Sequence, residues 1–115
     1  MKQIQTFKIL SDETRLRMLA LMAMQGELCV CELVHALELS QPKISRHLAN
    51  LRKVGIVSSR RHAQWIFYNL DPEMPAWERH VVDAAVEGIQ HETIVRKDAG
   101  RLANMDGRPQ HGPTR

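Results

Sequence analysis

Residues 39–70, which read LSQPKISRHLANLRKVGIVSSRRHAQWIFYNL, contain six lysines and arginines and no aspartate or glutamate. This stretch has a formal charge of +6, whereas the whole chain of 115 residues has +3, so the remainder sums to −3 (10 basic against 13 acidic residues). A cationic block within a mildly acidic remainder is typical of a surface that binds a polyanion. A solvated charged face is the alternative that charge alone leaves open.

The first half of the stretch has the pattern of one amphipathic helix. Ser40 is suited to cap it, proline is tolerated in a first turn at Pro42, and Gly55 is placed to end it. Its apolar stripe consists of Ile44, Leu48 and Leu51. Their spacing of i, i+4 and i+7 predicts one buried face, which leaves cationic and hydrogen-bonding side chains on the other.

The second half of the stretch changes to the residue types of β-strands. Residues 56–61 and 64–70 are rich in β-branched and aromatic side chains, and residues 61–64 would connect them as a hairpin. A short helix predicted over residues 29–37 precedes the basic helix. This order predicts a winged helix-turn-helix, whose second helix lies in the major groove of double-stranded DNA and whose hairpin reaches the flanking backbone.

The side chains of the basic stretch suit that task. Gln41 and Asn50 can pair with adenine and Arg46 with guanine, whereas the remaining cations and Ser45 are suited to phosphate. The predicted DNA-contacting residues are Ser40, Gln41, Lys43, Ser45, Arg46, His47, Asn50, Arg52, Lys53, Arg60, Arg61, His62 and Gln64.

The rest of the chain predicts further helices over residues 3–10, 13–24 and 76–95. The expected fold class is therefore mostly α with a β-hairpin (α+β), in one domain over residues 1–97, followed by a disordered, Gly- and Pro-rich tail over residues 98–115. The apolar faces of the two terminal helices either close the core or form a homodimer interface. We favour the homodimer, because readers of two-fold DNA sites place two recognition helices one DNA turn apart.

The composition also limits the class of protein. The apolar runs are too short to cross a membrane, and the N-terminus lacks the features of a signal peptide. The two cysteines are only two positions apart, which makes them a poor disulfide pair, so reduced thiols in the cytoplasm are the natural expectation. A cysteine with a histidine can form a nucleophile and base, but no oxyanion-hole loop accompanies them, and we expect no enzyme.

The cysteine pair in ELCVCEL, residues 27–33, is the second feature that carries chemistry. Two thiols are either small buried apolar groups or ligands for a soft ion such as As(III), Sb(III), Cd(II) or Zn(II). If Cys29 and Cys31 both lie on a helix, their side chains point about 200° apart. Binding one ion would then require the first turn to unwind, which would couple ligand to DNA. A disulfide switch is the redox alternative, which the closeness of the pair in sequence opposes.

Four segments together resemble the ArsR/SmtB family of bacterial metalloregulators, and specifically its arsenic-responsive branch. They read KILSDETRLRML, ELCVCEL, SQPKISRHLANLRKVGIV and WIFYNLDPEMPAW and cover residues 7–77. The resemblance implies a homodimeric winged helix-turn-helix repressor of a metalloid-resistance operon. It further implies that As(III) or Sb(III) binds the thiolates of Cys29 and Cys31 and releases the operator.

Two departures from the family pattern keep other inducers open. The arsenic site resembles C-V-C-x-x-C, and the third position here is Val34. His35 could supply a nitrogen ligand for Zn(II) or Cd(II) instead. The family's zinc sensors use a pattern resembling D-x-H…H-x-x-E in the last helix, of which this chain has Glu78, His80 and His91. A Zn(II)/Cd(II)-responsive or a thiol-redox or persulfide-responsive repressor is therefore the alternative.

Overall fold

Helices account for most of the chain, and a small antiparallel sheet completes it. The computed structural model describes residues 1–111. Its elements are α1 (Lys2–Leu10), α2 (Glu13–Gln25), β1 (Leu28–Cys29), α3 (Val30–Leu37), α4 (Gln41–Lys53), β2 (Val57–His62), β3 (Trp65–Leu70), α5 (Ala76–Ile89) and α6 (Thr93–Ala103). No helix within residues 1–111 has the length and apolar character needed to cross a membrane.

The core is built around α2, which packs against the other five helices and β3. Asp12 caps this helix by accepting a hydrogen bond from the Arg15 N–H at 2.9 Å. Residues 17–22 of α2 are all buried, so the helix is enclosed on nearly every side. Its centre therefore fixes the positions of the elements that surround it.

The predicted helix-turn-helix is present as α3, a short turn and α4. The Ser40 hydroxyl accepts a hydrogen bond from the Lys43 N–H, and Gly55 takes a positive φ of 83° just beyond the end of α4. The stripe of Ile44, Leu48 and Leu51 is at most 1% exposed. Burying these three side chains fixes which face of α4 points to solvent, and both predictions for this helix are confirmed.

The sheet has three strands in the order β1-β3-β2, so the predicted hairpin gains a third strand. In the hairpin, Val57 lies opposite Leu70, and His62 lies opposite Trp65. On the other edge of β3, Leu28 pairs with Tyr68 and Cys29 with Phe67. The strand that carries Cys29 is thus directly hydrogen-bonded to the wing.

The C-terminal part of the chain differs from the prediction. The single helix expected over residues 76–95 is broken at Gln90–Glu92, and α6 runs from Thr93 to Ala103. The disordered tail predicted over residues 98–115 is wrong for residues 98–103, because Asp98 and Leu102 are buried at 0% exposure. The part of that prediction that falls on residues 112–115 lies outside the described residues.

An ion-pair network explains why α6 is ordered. The buried Asp98 carboxylate accepts hydrogen bonds from Arg17 Nε at 2.9 Å and Arg17 Nη2 at 2.8 Å, and from Arg101 Nη2 at 2.8 Å. The same two arginines donate to the backbone carbonyls of Leu37 (3.1 Å) and Ala36 (2.6 Å) at the end of α3. The carboxylate therefore joins α6 to α2 and to the turn of the helix-turn-helix.

Candidate DNA interface and thiol site

The solvent face of α4 presents the predicted cations and amides. Gln41, Lys43, Arg46, Asn50 and the terminal pair 52–53 are exposed, and Ser45 is half-buried. Within residues 1–111, no intramolecular hydrogen bond or ion pair engages the side chains of Lys43, Arg46, Asn50, Arg52 or Lys53. These groups are therefore available to a polyanion without breaking an existing contact.

The wing tip also carries free polar side chains, but Arg60 is different. Arg61 and Gln64 are exposed and His62 is half-buried, around a two-residue turn in which Ala63 has a φ of 54°. The Arg60 guanidinium is ion-paired with the Glu27 carboxylate, with Nε 2.7 Å from Oε2. The predicted phosphate contact of Arg60 would thus compete with an internal partner.

His47 contacts another side chain of the protein and is only partly exposed. It is half-buried on α4, and Arg15 Nη1 lies 3.3 Å from its Nδ1. Burial lowers the pKa of His47, and the attraction of Asp12 opposes this shift. The ring is therefore neutral at neutral pH and joins the basic helix to the start of α2.

The two cysteines meet at the start of α3. Cys29 is the N-cap residue, with extended backbone (φ −85°, ψ 168°), and Cys31 lies in the first turn. Their Cα atoms are 5.4 Å apart and their sulfur atoms form a disulfide. The expectations that closeness in sequence opposes such a bond, and that the helix must unwind to bring the sulfurs together, are both wrong. They assumed that Cys29 is helical, whereas its extended backbone turns the side chain toward Cys31.

A reciprocal capping box fixes this geometry. The Cys29 sulfur accepts a hydrogen bond from the Glu32 N–H at 3.4 Å, and the Glu32 carboxylate accepts one from the Cys29 N–H at 2.9 Å. Cys29 is 2% exposed and Glu32 is fully buried. The position of the Cys29 sulfur is therefore tied to the N-terminal hydrogen bonds of α3.

Comparison with known proteins agrees with this arrangement. The sequence profile described as bacterial regulatory protein, ArsR family, matches residues 12–59. The arsenic resistance transcriptional regulator ArsR1 of Pseudomonas putida is 57% identical over 106 residues, which cover 90% of this chain and 80% of that protein. This chain belongs to the ArsR family.

Other relatives extend the comparison of the ArsR-family chain. The arsenical resistance operon repressor of Escherichia coli is 47% identical, over 91% of this chain and 92% of that protein. The solved structure of reduced HlyU from Vibrio cholerae matches with a TM-score of 0.63 and 38% identity, over 77% of this chain and 85% of that one. The crystal structure of the AntR antimony-specific transcriptional repressor matches with a TM-score of 0.62 and 26% identity, over 76% of this chain and 76% of that one.

An open groove of about 710 Å³ lies beside the cysteine pair of this ArsR-family chain. Cys29 at the N-cap of α3 and Cys31, Val34 and His35 on α3 line it, together with residues of the wing and α4. The remaining lining residues are Val30, Gln41, Gln64, Trp65, Ile66, Tyr68 and Met105. The groove thus joins the thiol site to residues of the predicted DNA interface. Val34, which occupies the third position of the family pattern, and His35, the rival ligand, both line it.

The alternative metal site predicted at Glu78, His80 and His91 is not assembled within residues 1–111 of the single chain. Glu78 is 1% exposed and accepts a hydrogen bond from the Thr6 hydroxyl, with Lys2 Nζ 3.7 Å away. His80 and His91 are exposed, and residues 1–111 contain no group of three His, Cys, Asp or Glu side chains that could hold a metal. Glu78 is therefore engaged between α1 and α5 in the single chain, and its role as a ligand stays a prediction.

Proposed function

We propose that this ArsR-family chain represses a metalloid-resistance operon and leaves its operator when As(III) or Sb(III) binds the thiolates of Cys29 and Cys31. The single observation that carries the proposal is the meeting of two soft ligands at the first turn of α3, the helix that supports α4. The P. putida and E. coli relatives are regulators of arsenic resistance, which supports the arsenic response. The site of action is the cytoplasm, where glutathione keeps thiols reduced.

The ligand-binding form is the dithiol. Two molecules of a small thiol such as glutathione reduce the disulfide by exchange: the first forms a mixed disulfide with one cysteine, and the second releases that cysteine, so that two protein thiols and one small-molecule disulfide result. Arsenous acid then exchanges two hydroxyl groups for two sulfurs and releases two waters, which take the thiol protons. The third arsenic valence keeps its hydroxyl group, and this group would face the groove, where Val34 offers no ligand.

Two paths connect the thiol site to DNA. Cys29 is the N-cap of α3, and α3 packs directly against α4. Cys29 also lies opposite Phe67 in the sheet that carries the wing. An ion that repositions the Cys29 sulfur would therefore disturb both DNA-contacting elements. Because coupling is reciprocal, DNA must weaken ion binding by the same factor by which the ion weakens DNA binding.

The DNA-bound form is proposed to be a homodimer. Ile4 is 49% exposed and Phe7 55% exposed on α1, and Trp77 and Val81 are half-buried on α5. The hydrogen bond between Thr6 and Glu78 holds these two helices side by side, so their apolar residues can form one patch. Such a patch fits a two-fold interface. Sedimentation equilibrium should show a dimer, and the double variant Ile4→Glu/Phe7→Glu should be monomeric.

The thiol site is tested by stoichiometry. Reduced protein is incubated with arsenite, desalted and analysed for arsenic per chain. Wild-type protein and the control His80→Ala/His91→Ala should both retain one arsenic, and Cys29→Ser/Cys31→Ser should retain none. The same experiment is repeated with Zn(II) and Cd(II), and an ion retained by the cysteine variant but lost from the histidine variant would instead favour sensing through His80 and His91.

A further inference from the structure

The segment after α6, residues 104–111, folds back over the start of α3; we name it the C-terminal strap. Arg108 Nε donates to Glu32 Oε2 at 2.6 Å, and His111 Nε2 lies 3.1 Å from Glu32 Oε1. The His111 ring stacks on Phe67 of β3 with 4.2 Å between centroids. Arg60 of β2 donates to the His111 carbonyl at 2.6 Å. The strap therefore contacts α3 and both strands of the wing.

Glu32 is the central contact of the strap. Its carboxylate is fully buried, and such a charge is costly unless it is paired and hydrogen-bonded. Arg108 supplies the ion pair and His111 a second polar contact, while the same carboxylate accepts the Cys29 N–H. One side chain thus holds the strap and fixes the helix start at which Cys29 lies.

We propose that Glu32 is a positioning residue of the thiol site, and that the strap bound to it stabilises the ligand-free arrangement of Cys29 and Cys31. This inference rests on the proposed function. In the ligand-free, disulfide-bonded form that the structure shows, the Cys29 sulfur accepts the Glu32 N–H. We infer that the reduced thiol keeps this bond, because Cys29 remains the N-cap of α3. When that sulfur bonds arsenic or antimony, it must turn toward the ion, and the capping box opens. Glu32 then moves with the first turn of α3, and Arg108 and His111 lose the geometry of their contacts.

The strap and the ion therefore favour different arrangements of the same helix start. The strap should weaken As(III) binding, and As(III) should release the strap by the same factor. Because the released strap also leaves Phe67 and Arg60, the event at the cysteines reaches the wing. The strap is in this way a third link between the thiol site and DNA.

The contact by which Glu32 holds the strap is tested first, without any metalloid. In the docked strap, the His111 ring experiences the ring current of Phe67, so its carbon-bound protons have a displaced NMR shift. Glu32→Gln removes the charge that holds Arg108, and the His111 signal should move to the position found in an unstructured peptide. The matched control Glu87→Gln, an exposed residue of α5, should leave it unchanged. A His111 signal that is the same in Glu32→Gln and wild type would contradict the claim that Glu32 holds the strap.

The coupling is tested with arsenite on the reduced wild-type protein, which requires no substitution. Arsenite should move the His111 signal in the same direction as Glu32→Gln does. In a Trp77→Phe background, which leaves Trp65 in the groove as the one tryptophan, Arg108→Ala/His111→Ala should bind As(III) at least about fivefold more tightly by fluorescence titration. Arg96→Ala, an exposed cation of α6, is the control and should match wild type.

The outcomes separate this inference from the proposed function. Arsenite that binds wild type with no change at His111, or an affinity of the strap variant within twofold of wild type, would overturn the inference and leave the function intact. A wild-type protein that binds no arsenite would overturn both. Circular dichroism identifies a strap variant that fails to fold, in which case the wild-type NMR titration decides.

Discussion

Asp98→Asn should strongly destabilise the protein. The carboxylate is fully buried and accepts two hydrogen bonds from Arg17 and one from Arg101. Arg17 is itself buried, and its hydrogen bonds with Asp98 raise its pKa. Asparagine has nearly the same shape but no charge, and its amide nitrogen would face a donor. The substitution therefore leaves a buried guanidinium unpaired.

Removal of one partner of a buried ion pair costs about 3–5 kcal/mol. With a urea m-value of about 2 kcal/mol/M, this is a fall of about 2 M in the midpoint of unfolding. The free energy of unfolding of a domain is only about 5–15 kcal/mol, so the loss is a large part of it. Since Arg17 and Arg101 also hold the carbonyls at the end of α3, operator affinity should fall as well.

The assay is urea unfolding followed by tryptophan fluorescence at one fixed protein concentration. Asp83→Asn is the matched control, because Asp83 pairs with Arg79 at 3.1 Å on the surface, where their side chains are 54% and 44% exposed. Such a pair contributes at most about 1 kcal/mol. Equal shifts of the midpoint in the two variants would refute the view that Asp98 anchors α6.

Three further predictions concern the DNA interface and the groove. Arg61→Ala should reduce the salt dependence of operator binding by about one phosphate contact, whereas Arg60→Ala should change it less, because Arg60 is paired internally; equal salt slopes for both variants would contradict this. Burial lowers the pKa of His47 in the folded protein below its ordinary value of 6.5. As the pH falls below 6.5, the imidazole is therefore protonated in the unfolded chain before it is protonated in the folded one, and the free energy of unfolding of wild type should fall. Between pH 7.5 and pH 5.5, the midpoint of urea unfolding should fall less for His47→Gln than for wild type. Equal falls in the two proteins would contradict a neutral, half-buried ring at position 47. Val34→Cys adds a third thiol to the groove and should tighten As(III) binding at least about tenfold, whereas Val34→Ala should not; equal affinities would place Val34 too far from the ion.

Local signals explain why the helix-turn-helix could be predicted from sequence. Ser40 and Gly55 mark the ends of α4 by their own chemistry, and the stripe of Ile44, Leu48 and Leu51 fixes its buried face. Each of these signals acts over a few residues, so a single sequence is sufficient. After Gly55 the sequence changes from helical spacing to residue types typical of β-strands, and this local change predicted the hairpin.

Contacts between distant residues explain what could not be predicted. The burial of Asp98 depends on Arg17, 81 positions earlier, and nothing near residue 98 indicates it. β1 has two residues, too few to show a period, and exists because β3 has a free edge beside it. The strap depends on Glu32, 76 positions before Arg108.

The predicted orientation of the two cysteine side chains depended on the residue at which α3 begins. The sequence predicted a helix that begins at Cys29, and the structure begins it at Val30. That shift of one residue takes Cys29 out of the helix, turns its sulfur toward Cys31 and removes the need for unwinding. The structure brings Cys29 and Cys31 together, and their role as ligands stays a prediction; the unwinding that was expected to link them to α4 is not needed.

The most direct test of the central claim is fluorescence anisotropy of a labelled fragment from upstream of the protein's own gene. Reduced protein is bound to the fragment, and As(III), Sb(III), Cd(II) and Zn(II) are titrated in turn, with Cys29→Ser/Cys31→Ser alongside. We expect As(III) or Sb(III) to release wild-type protein and to leave the variant on the DNA. Release of the variant at the same ion concentration would contradict the assignment of Cys29 and Cys31 as the inducer site.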